Sequence, residues 1–213
     1  MAVKTKHSVL PRLLGTAVLL AGLTAYYLLA PWGFYWKVSP EEASLRLSLV
    51  ASGEAYLGAK ESDGSYGKIL DRYNAQPSLP MDYALTETDS WCAAFVSVAA
   101  LDAGLTDIIP VECGCERQIG LLQEMGSWEE ADGAIPLPGD LIYYDWDNRR
   151  PGDCTGWADH VGIVVGTKWP FLKVIEGNRD DRVCYHYLPL NHISIRGFGR
   201  PDYASLAASA ANE

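Results

Sequence analysis

The sequence predicts an α+β domain with helices packed on an antiparallel β-sheet, preceded by one transmembrane helix. Three observations predict it: an uncharged apolar run near the start, helix signals crowded into the next hundred or so residues, and a change of hydrophobic period to two from about residue 140. Helices first and strands afterwards indicate segregated α+β architecture, not alternating βαβ units. At 213 residues the chain has room for one core plus an appendage.

The appendage comes first. Lys4, Lys6 and Arg12 precede the run from Leu13 to Ala30, which carries no charge and leads into Pro31-Trp32-Gly33-Phe34-Tyr35-Trp36. About twenty apolar residues span a bilayer. Leu23-Thr24-Ala25 and Leu28-Leu29-Ala30, the latter followed by Pro31, offer a signal peptidase poor cleavage sites. An uncleaved signal anchor is therefore preferred over a cleaved signal peptide. The expected organisation is a cytoplasmic basic tail over 1–12, a transmembrane anchor over 13–36, a folded domain over 37–203 and a disordered Ala/Ser tail over 204–213. With its cations before the span, the positive-inside rule places the domain outside the membrane, with Tyr35-Trp36 at the outer interface.

The helices follow. Ser39 as N-cap, Pro40 at the first helical position and Glu42 three residues after the cap form a capping-box signature. A short helix is expected over Lys68 to Tyr73, and Asn74 to Pro80 reads as a loop. A third helix has Asp89 or Ser90 as its cap and Gly104 at its left-handed end. Cys92, Phe95, Val96, Ala99 and Ala100 share one face of it, which puts Cys92 on the buried stripe at the N-terminal edge. Strands are expected over Leu141–Tyr144, His160–Gly166, Phe171–Glu176, Val183–Leu188 and His192–Phe198, each bounded by Gly, Pro, Asp or Asn.

The net charge of -10, with three cations and no acid in the first twelve residues, leaves the domain acidic. Binding to nucleic acid by phosphate neutralisation needs a basic face, so that class is excluded. Five cysteines, Cys92, Cys113, Cys115, Cys154 and Cys184, lie on the exported side, and an odd number leaves at least one free thiol. The other four admit three pairings, and the fully unpaired state stands beside them.

Cys92 has the setting of a nucleophile. A helix N-terminus lowers a thiol's pKa and presents free N–H groups that suit an oxyanion. The alternative is a small hydrophobe on an apolar face. Among four histidines, His7 lies on the cytoplasmic side, while His186 and His192 fall in strands without an acidic neighbour. His160 follows Gly156-Trp157-Ala158-Asp159 and opens a strand, where a side chain is firmly aimed yet accessible. In Val174-Ile175-Glu176-Gly177-Asn178, period two puts Glu176 and Asn178 on one face at the end of a neighbouring strand. If the two strands pair, either residue can accept from the His160 ring and fix its tautomer.

Five segments carry a resemblance. Trp91-Cys92-Ala93-Ala94-Phe95-Val96, Pro138-Gly139-Asp140-Leu141-Ile142-Tyr143-Tyr144-Asp145-Trp146, Asp159-His160-Val161-Gly162-Ile163-Val164, Ile175-Glu176-Gly177-Asn178 and Gly197-Phe198-Gly199-Arg200-Pro201 resemble, in order, a CHAP domain, the cysteine- and histidine-dependent amidohydrolases/peptidases. The resemblance runs from about Tyr56 to Tyr203. It implies a papain-like fold, with Cys92 as nucleophile, His160 as general base and then acid, Glu176 as orienting acid and Asn178 as supporting polar group. It also implies a substrate, the peptide stem of bacterial peptidoglycan, cut either at the lactyl–L-alanine amide or within the stem or cross-bridge. No cofactor or metal is needed, and the anchor would hold the enzyme at the bacterial membrane.

Trp91, Trp157 and Tyr143 are candidates to line the substrate groove, with core packing as the competing role. Asp145-Trp146-Asp147-Asn148 with Asp153 has the composition of a calcium loop but lacks its Gly and bidentate Glu, so a solvated acidic turn is expected. Cys113-Gly114-Cys115 is spaced too tightly for a usual zinc site. Two other functions fit the same expected fold: a wall-binding or conjugation-apparatus scaffold without catalysis, and an acyl transferase that passes the thioester to an amine.

Overall fold

The computed structural model describes residues 18–25, 38–130, 134–150 and 154–210. The chain divides into two units, Met1–Trp32 and Gly33–Glu213. In the first, residues 18–25 are helical and exposed. The rest of the expected anchor over 13–36, and the basic tail over 1–12, lie outside the described residues. Among the described residues no helix is long and apolar enough to cross a membrane.

The second unit is α+β. Its principal elements are α1 (Pro40–Glu54), α2 (Gly67–Asn74), α3 (Cys92–Ala103), α4 (Cys115–Glu124), β1 (Trp128–Glu130), β2 (Leu141–Tyr144), β3 (His160–Lys168), β4 (Phe171–Arg179), β5 (Arg182–Pro189), β6 (Ile195–Gly199) and α5 (Tyr203–Ala210). The six strands form one sheet in the order β1-β6-β2-β3-β4-β5, with every neighbouring pair antiparallel. Alternation along the strands divides the core in two. Leu141, Tyr143, Val161, Ile163 and Ile175 pack with the helices, while Ile142, Tyr144, Val164, Leu172, Val174 and Phe198 form a second cluster.

α1 starts as its signals predict, with Ser39 Oγ accepting from the Glu42 N–H at 3.1 Å and Pro40 in the first turn. Glu42 does not reach back to complete the box; its carboxylate accepts from Arg46 Nε at 2.8 Å. Arg46 is buried and donates to Asp140 Oδ1 at 2.7 Å and to the Pro138 carbonyl at 3.3 Å. Pro138-Gly139-Asp140 therefore clamps α1 to the start of β2. The Tyr203 hydroxyl donates to the Gly139 carbonyl at 2.8 Å in the same clamp. That anchor explains why residues 204–210 are not the expected disordered tail but the body of α5. Tyr203 is fully buried, Ala207 packs inward, and alanine is the best intrinsic helix former.

α3 lies at the centre, between α1 and α2 on one side and β3 and β4 on the other. It is buried on all faces through its first nine residues, so the one-sided stripe expected from the sequence understates its burial. Its left-handed end at Gly104 is as predicted, but its N-cap is Trp91, with no side-chain cap. Asp89 instead closes the preceding turn, accepting from the Thr86 N–H and hydroxyl. α4 and β1 were not anticipated.

Small residues set the close approach of α3 to the sheet. A Cβ at Gly177 would lie 2.5 Å from Phe95 Cβ and 2.6 Å from Phe95 Cγ. The stem of Phe95 cannot swing clear without moving the helix. Gly177→Ala is accordingly expected to destabilise the domain by about 1–3 kcal/mol through overpacking. A urea midpoint unchanged from wild type would refute that close approach.

Candidate active site

Cys92 occupies the first position of α3, where the N–H groups of the first turn have no intrahelical acceptor. Its side chain is only 3% exposed. His160 is the first residue of β3, with its backbone paired to Tyr144 of β2. The loop ahead of it is tied down twice: Glu116, in the first turn of α4, accepts from the Ala158 N–H, and the Asp159 N–H donates to the Tyr144 carbonyl at 2.9 Å. The imidazole is thereby held near the start of α3, close enough that its charge and that of the Cys92 sulfur influence each other.

β3 and β4 pair as the sequence reading requires, with Gly162 opposite Glu176. Gly162 is the residue that makes room, since a Cβ there would lie 2.6 Å from Glu176 Cγ. Glu176 Oε2 is 3.2 Å from His160 Nε2. One buried imidazole thus pairs with a fully buried carboxylate and interacts electrostatically with a buried thiol.

Glu176 has more partners than the sequence suggested. His186 Nδ1 donates to Oε1 at 2.9 Å, Tyr144 Oη to the same oxygen at 2.8 Å, and Arg179 Nη1 to Oε2 at 3.1 Å. The expectation that His186 has no acidic neighbour is therefore wrong: Val174 faces His186 across the β4–β5 ladder, two residues from Glu176. His192 is not in a strand but in the turn before β6. Trp146 stacks on Tyr144 at 4.5 Å between ring centroids and lies 5.9–6.3 Å from the rings of His160, His186 and His192. It roofs the acid–histidine cluster.

The charges follow from these contacts. The Cys92 thiol is pushed well below the ordinary value: the hydrogen bond from Cys115 and the bonds and charge of His160 together outweigh burial. Burial opposes the imidazolium, but bonds to Cys92 and Glu176 overcome it and push His160 up to about 10. Burial likewise opposes the Glu176 carboxylate, yet its two histidine donors hold it well below the usual carboxylate range. These shifts all favour a thiolate–imidazolium pair backed by a carboxylate.

Asn178 has a positive φ of 57° at the irregularity in β4 between Glu176 and Arg179. The chain there does not hold strict period two. Asn178 nonetheless lines a cleft of about 300 Å³ with Trp146, His160, Arg179 and Asp180. His160 lines that cleft as well.

The three aromatic candidates separate. Trp157 is 76% exposed in the loop before His160 and is free to meet a ligand. Trp91 is fully buried, its Nε1 donating to Glu61 Oε1 at 2.9 Å and its ring packed on Tyr66. Tyr143 is also fully buried, and its hydroxyl donates to Gln118 Oε1 at 2.9 Å. Both are core residues, which corrects their assignment to the groove.

The five cysteines are all free thiols. The sequence offers Cys115 a disulfide, a zinc site or an unpaired state but no place beside the nucleophile, and its Sγ lies 3.7 Å from that of Cys92. Asp145 accepts from the N–H groups of Asp147 and Asn148 at 3.0 and 3.1 Å, an ordinary acidic turn, and Asp153 lies outside the described residues. Among the described residues no three His, Cys, Asp or Glu side chains converge on a metal position.

Sequence reasoning therefore missed Tyr144, Trp146, Arg179, His186 and Cys115. Their one signal was register: Tyr144 pairs directly with His160, while His186 lies diagonally across from Glu176, whose direct partner is Cys184, so direct and diagonal cross-strand neighbours of the predicted residues would have found two of them. No family model, no curated protein and no solved structure matches the chain.

Proposed function

We propose that the chain is a CHAP-type, papain-like amidase or endopeptidase that cleaves an amide of peptidoglycan and is held at a bacterial membrane by its N-terminal segment. The observation that carries this reading is the buried His160 imidazole, paired with the buried Glu176 carboxylate at 3.2 Å and in electrostatic interaction with the thiol at the start of α3. The sequence resemblance adds the substrate class. Cys92 thiolate attacks the amide carbonyl, and the N–H groups at the start of α3 stabilise the oxyanion. The His160 imidazolium gives its proton to the departing amine, leaving a thioester on Cys92. The neutral imidazole then takes a proton from water, which attacks the thioester and frees the carboxylate. Glu176 holds Nε2 of His160, so that Nδ1 is the nitrogen left to carry the proton, and Trp157 and the cleft beside Asn178 receive the stem peptide.

The test incubates the reduced full-length chain, in detergent, with purified cell walls and weighs the released fragments by mass spectrometry. Paired new amine and carboxylate ends are expected with wild type and absent with Cys92→Ala. Equal release from both proteins would reject the proposal, and fragments joined to an added amine would reassign it to acyl transfer.

A pH profile tests the charge state. The rate of wall release is expected to stay high until His160 loses its proton near 10 and to fall there, because the amine then has no acid. The acid limb should lie well below the ordinary thiol pKa, where Cys92 regains its proton. A rate that only begins to rise near pH 8.5, the usual thiol value, would contradict the ion pair.

A further inference from the structure

The mechanism above gives Cys115 no covalent role, although its position is closely built. Cys115 is the first residue of α4, as Cys92 is of α3, so two helix N-termini converge on one pair of sulfurs 3.7 Å apart. The loop leading to it is fixed by Glu112, which is fully buried. The Glu112 backbone is clamped by Ser97 of α3, whose hydroxyl donates to its carbonyl at 2.7 Å and accepts from its N–H at 2.9 Å. Its carboxylate accepts from the Cys113 N–H at 2.8 Å, from the Gly114 N–H at 3.4 Å and from Arg117 Nε at 2.8 Å. α4 is thus docked on the helix that bears the nucleophile. Cys113, two residues away, packs against the main hydrophobic core instead.

We propose that Cys92 and Cys115 form a reversible intramolecular disulfide that removes the nucleophile when the protein meets a small-molecule disulfide. The sulfurs need to approach by about 1.7 Å to reach bonding distance, within the range of side-chain rotation and small helix shifts. Cys92 thiolate attacks one sulfur of the small disulfide and expels a thiolate, leaving a mixed disulfide on Cys92. Cys115 then loses its proton to the medium and attacks Cys92 Sγ, expelling the second thiolate. The protein loses two thiol hydrogens, and the small disulfide is reduced to two thiols. The order follows from charge. While Cys92 holds the thiolate, the hydrogen bond that Cys115 gives it, together with burial and the thiolate's charge, keeps Cys115 protonated. Once Cys92 is derivatised that charge is gone, and the N-terminus of α4 favours the second thiolate.

The bond itself does not depend on the hydrolase reading, but its effect on wall release does. The full-length chain is treated with oxidised glutathione, remaining thiols are alkylated under denaturing conditions, and the digest is weighed. A peptide cross-linked between Cys92 and Cys115 and reversed by dithiothreitol is expected, with a more than tenfold loss of wall release that recovers on reduction. In Cys115→Ser, Cys92 should instead retain one glutathione. A wild-type Cys92 that keeps its glutathione, or that pairs with a different cysteine, overturns the proposal. Cross-linking in a protein that never releases wall fragments would sustain the disulfide and reject the hydrolase.

Discussion

If the chain is the proposed amidase, Cys92→Ala is expected to lower the rate of amide cleavage by roughly 10⁴-fold or more, because removing the nucleophile from a coupled set disables the whole set. The fold should survive it. The side chain is nearly buried at a helix start, and losing one sulfur there costs about 0.5–1.5 kcal/mol, comparable to deleting a methylene. His160 provides an independent readout. Its imidazolium is held by Cys92 and Glu176 together, so deleting the thiolate should lower its pKa from about 10, visible by NMR as ring resonances that titrate earlier. Retention of more than a tenth of wild-type activity, or a His160 titration that does not move, would remove Cys92 from the centre of the mechanism. Cys92→Ser should be nearly as inactive, since a hydroxyl beside the same imidazole stays protonated.

The parts of the molecule legible in the sequence were those fixed by local pattern. Ser39-Pro40, the apolar run ending at Gly104, and the alternating segments after residue 140 each carry their own signal, and each became the expected element. α4 carried none. Its N-cap is Gly114, with no side-chain oxygen to announce a helix, and it is held in place by Glu112 and Ser97 from outside. The site shows the same division. Cys92, His160 and Glu176 were recognisable because each sits at the end of a predicted element. Trp91 and Tyr143 were misassigned because an aromatic beside a motif reads the same whether it faces a cleft or the core; only packing against Tyr66 and Gln118 decides. His186 was dismissed because its carboxylate partner is adjacent through strand register alone, which no local window contains.

Glu176→Ala is expected to be the most damaging single change to stability, by about 3–5 kcal/mol, the usual result of removing one member of a buried charged network. Four donors converge on the two carboxylate oxygens: His160, His186, Tyr144 and Arg179. Deleting the acceptor leaves cationic and polar groups facing an apolar gap that solvent reaches poorly. Glu176→Gln should separate orientation from charge. Placed with its nitrogen towards Oε1, the amide can donate to Tyr144, which turns its hydroxyl, and to His186, which changes tautomer. Its oxygen still accepts from His160 and Arg179. That variant should fold, lose about 1–3 kcal/mol and keep the imidazole aimed, with activity reduced roughly tenfold to a hundredfold for want of the negative charge. The pH dependence of stability follows the same network. The depressed Glu176 value contributes stability above the ordinary carboxylate range that is lost as pH falls, and the raised His160 value contributes stability that is lost as pH rises towards about 10. Both slopes should flatten in Glu176→Ala. Chemical denaturation across pH measures them, and a variant with wild-type curvature would mean that Glu176 is a bystander to the charge on His160.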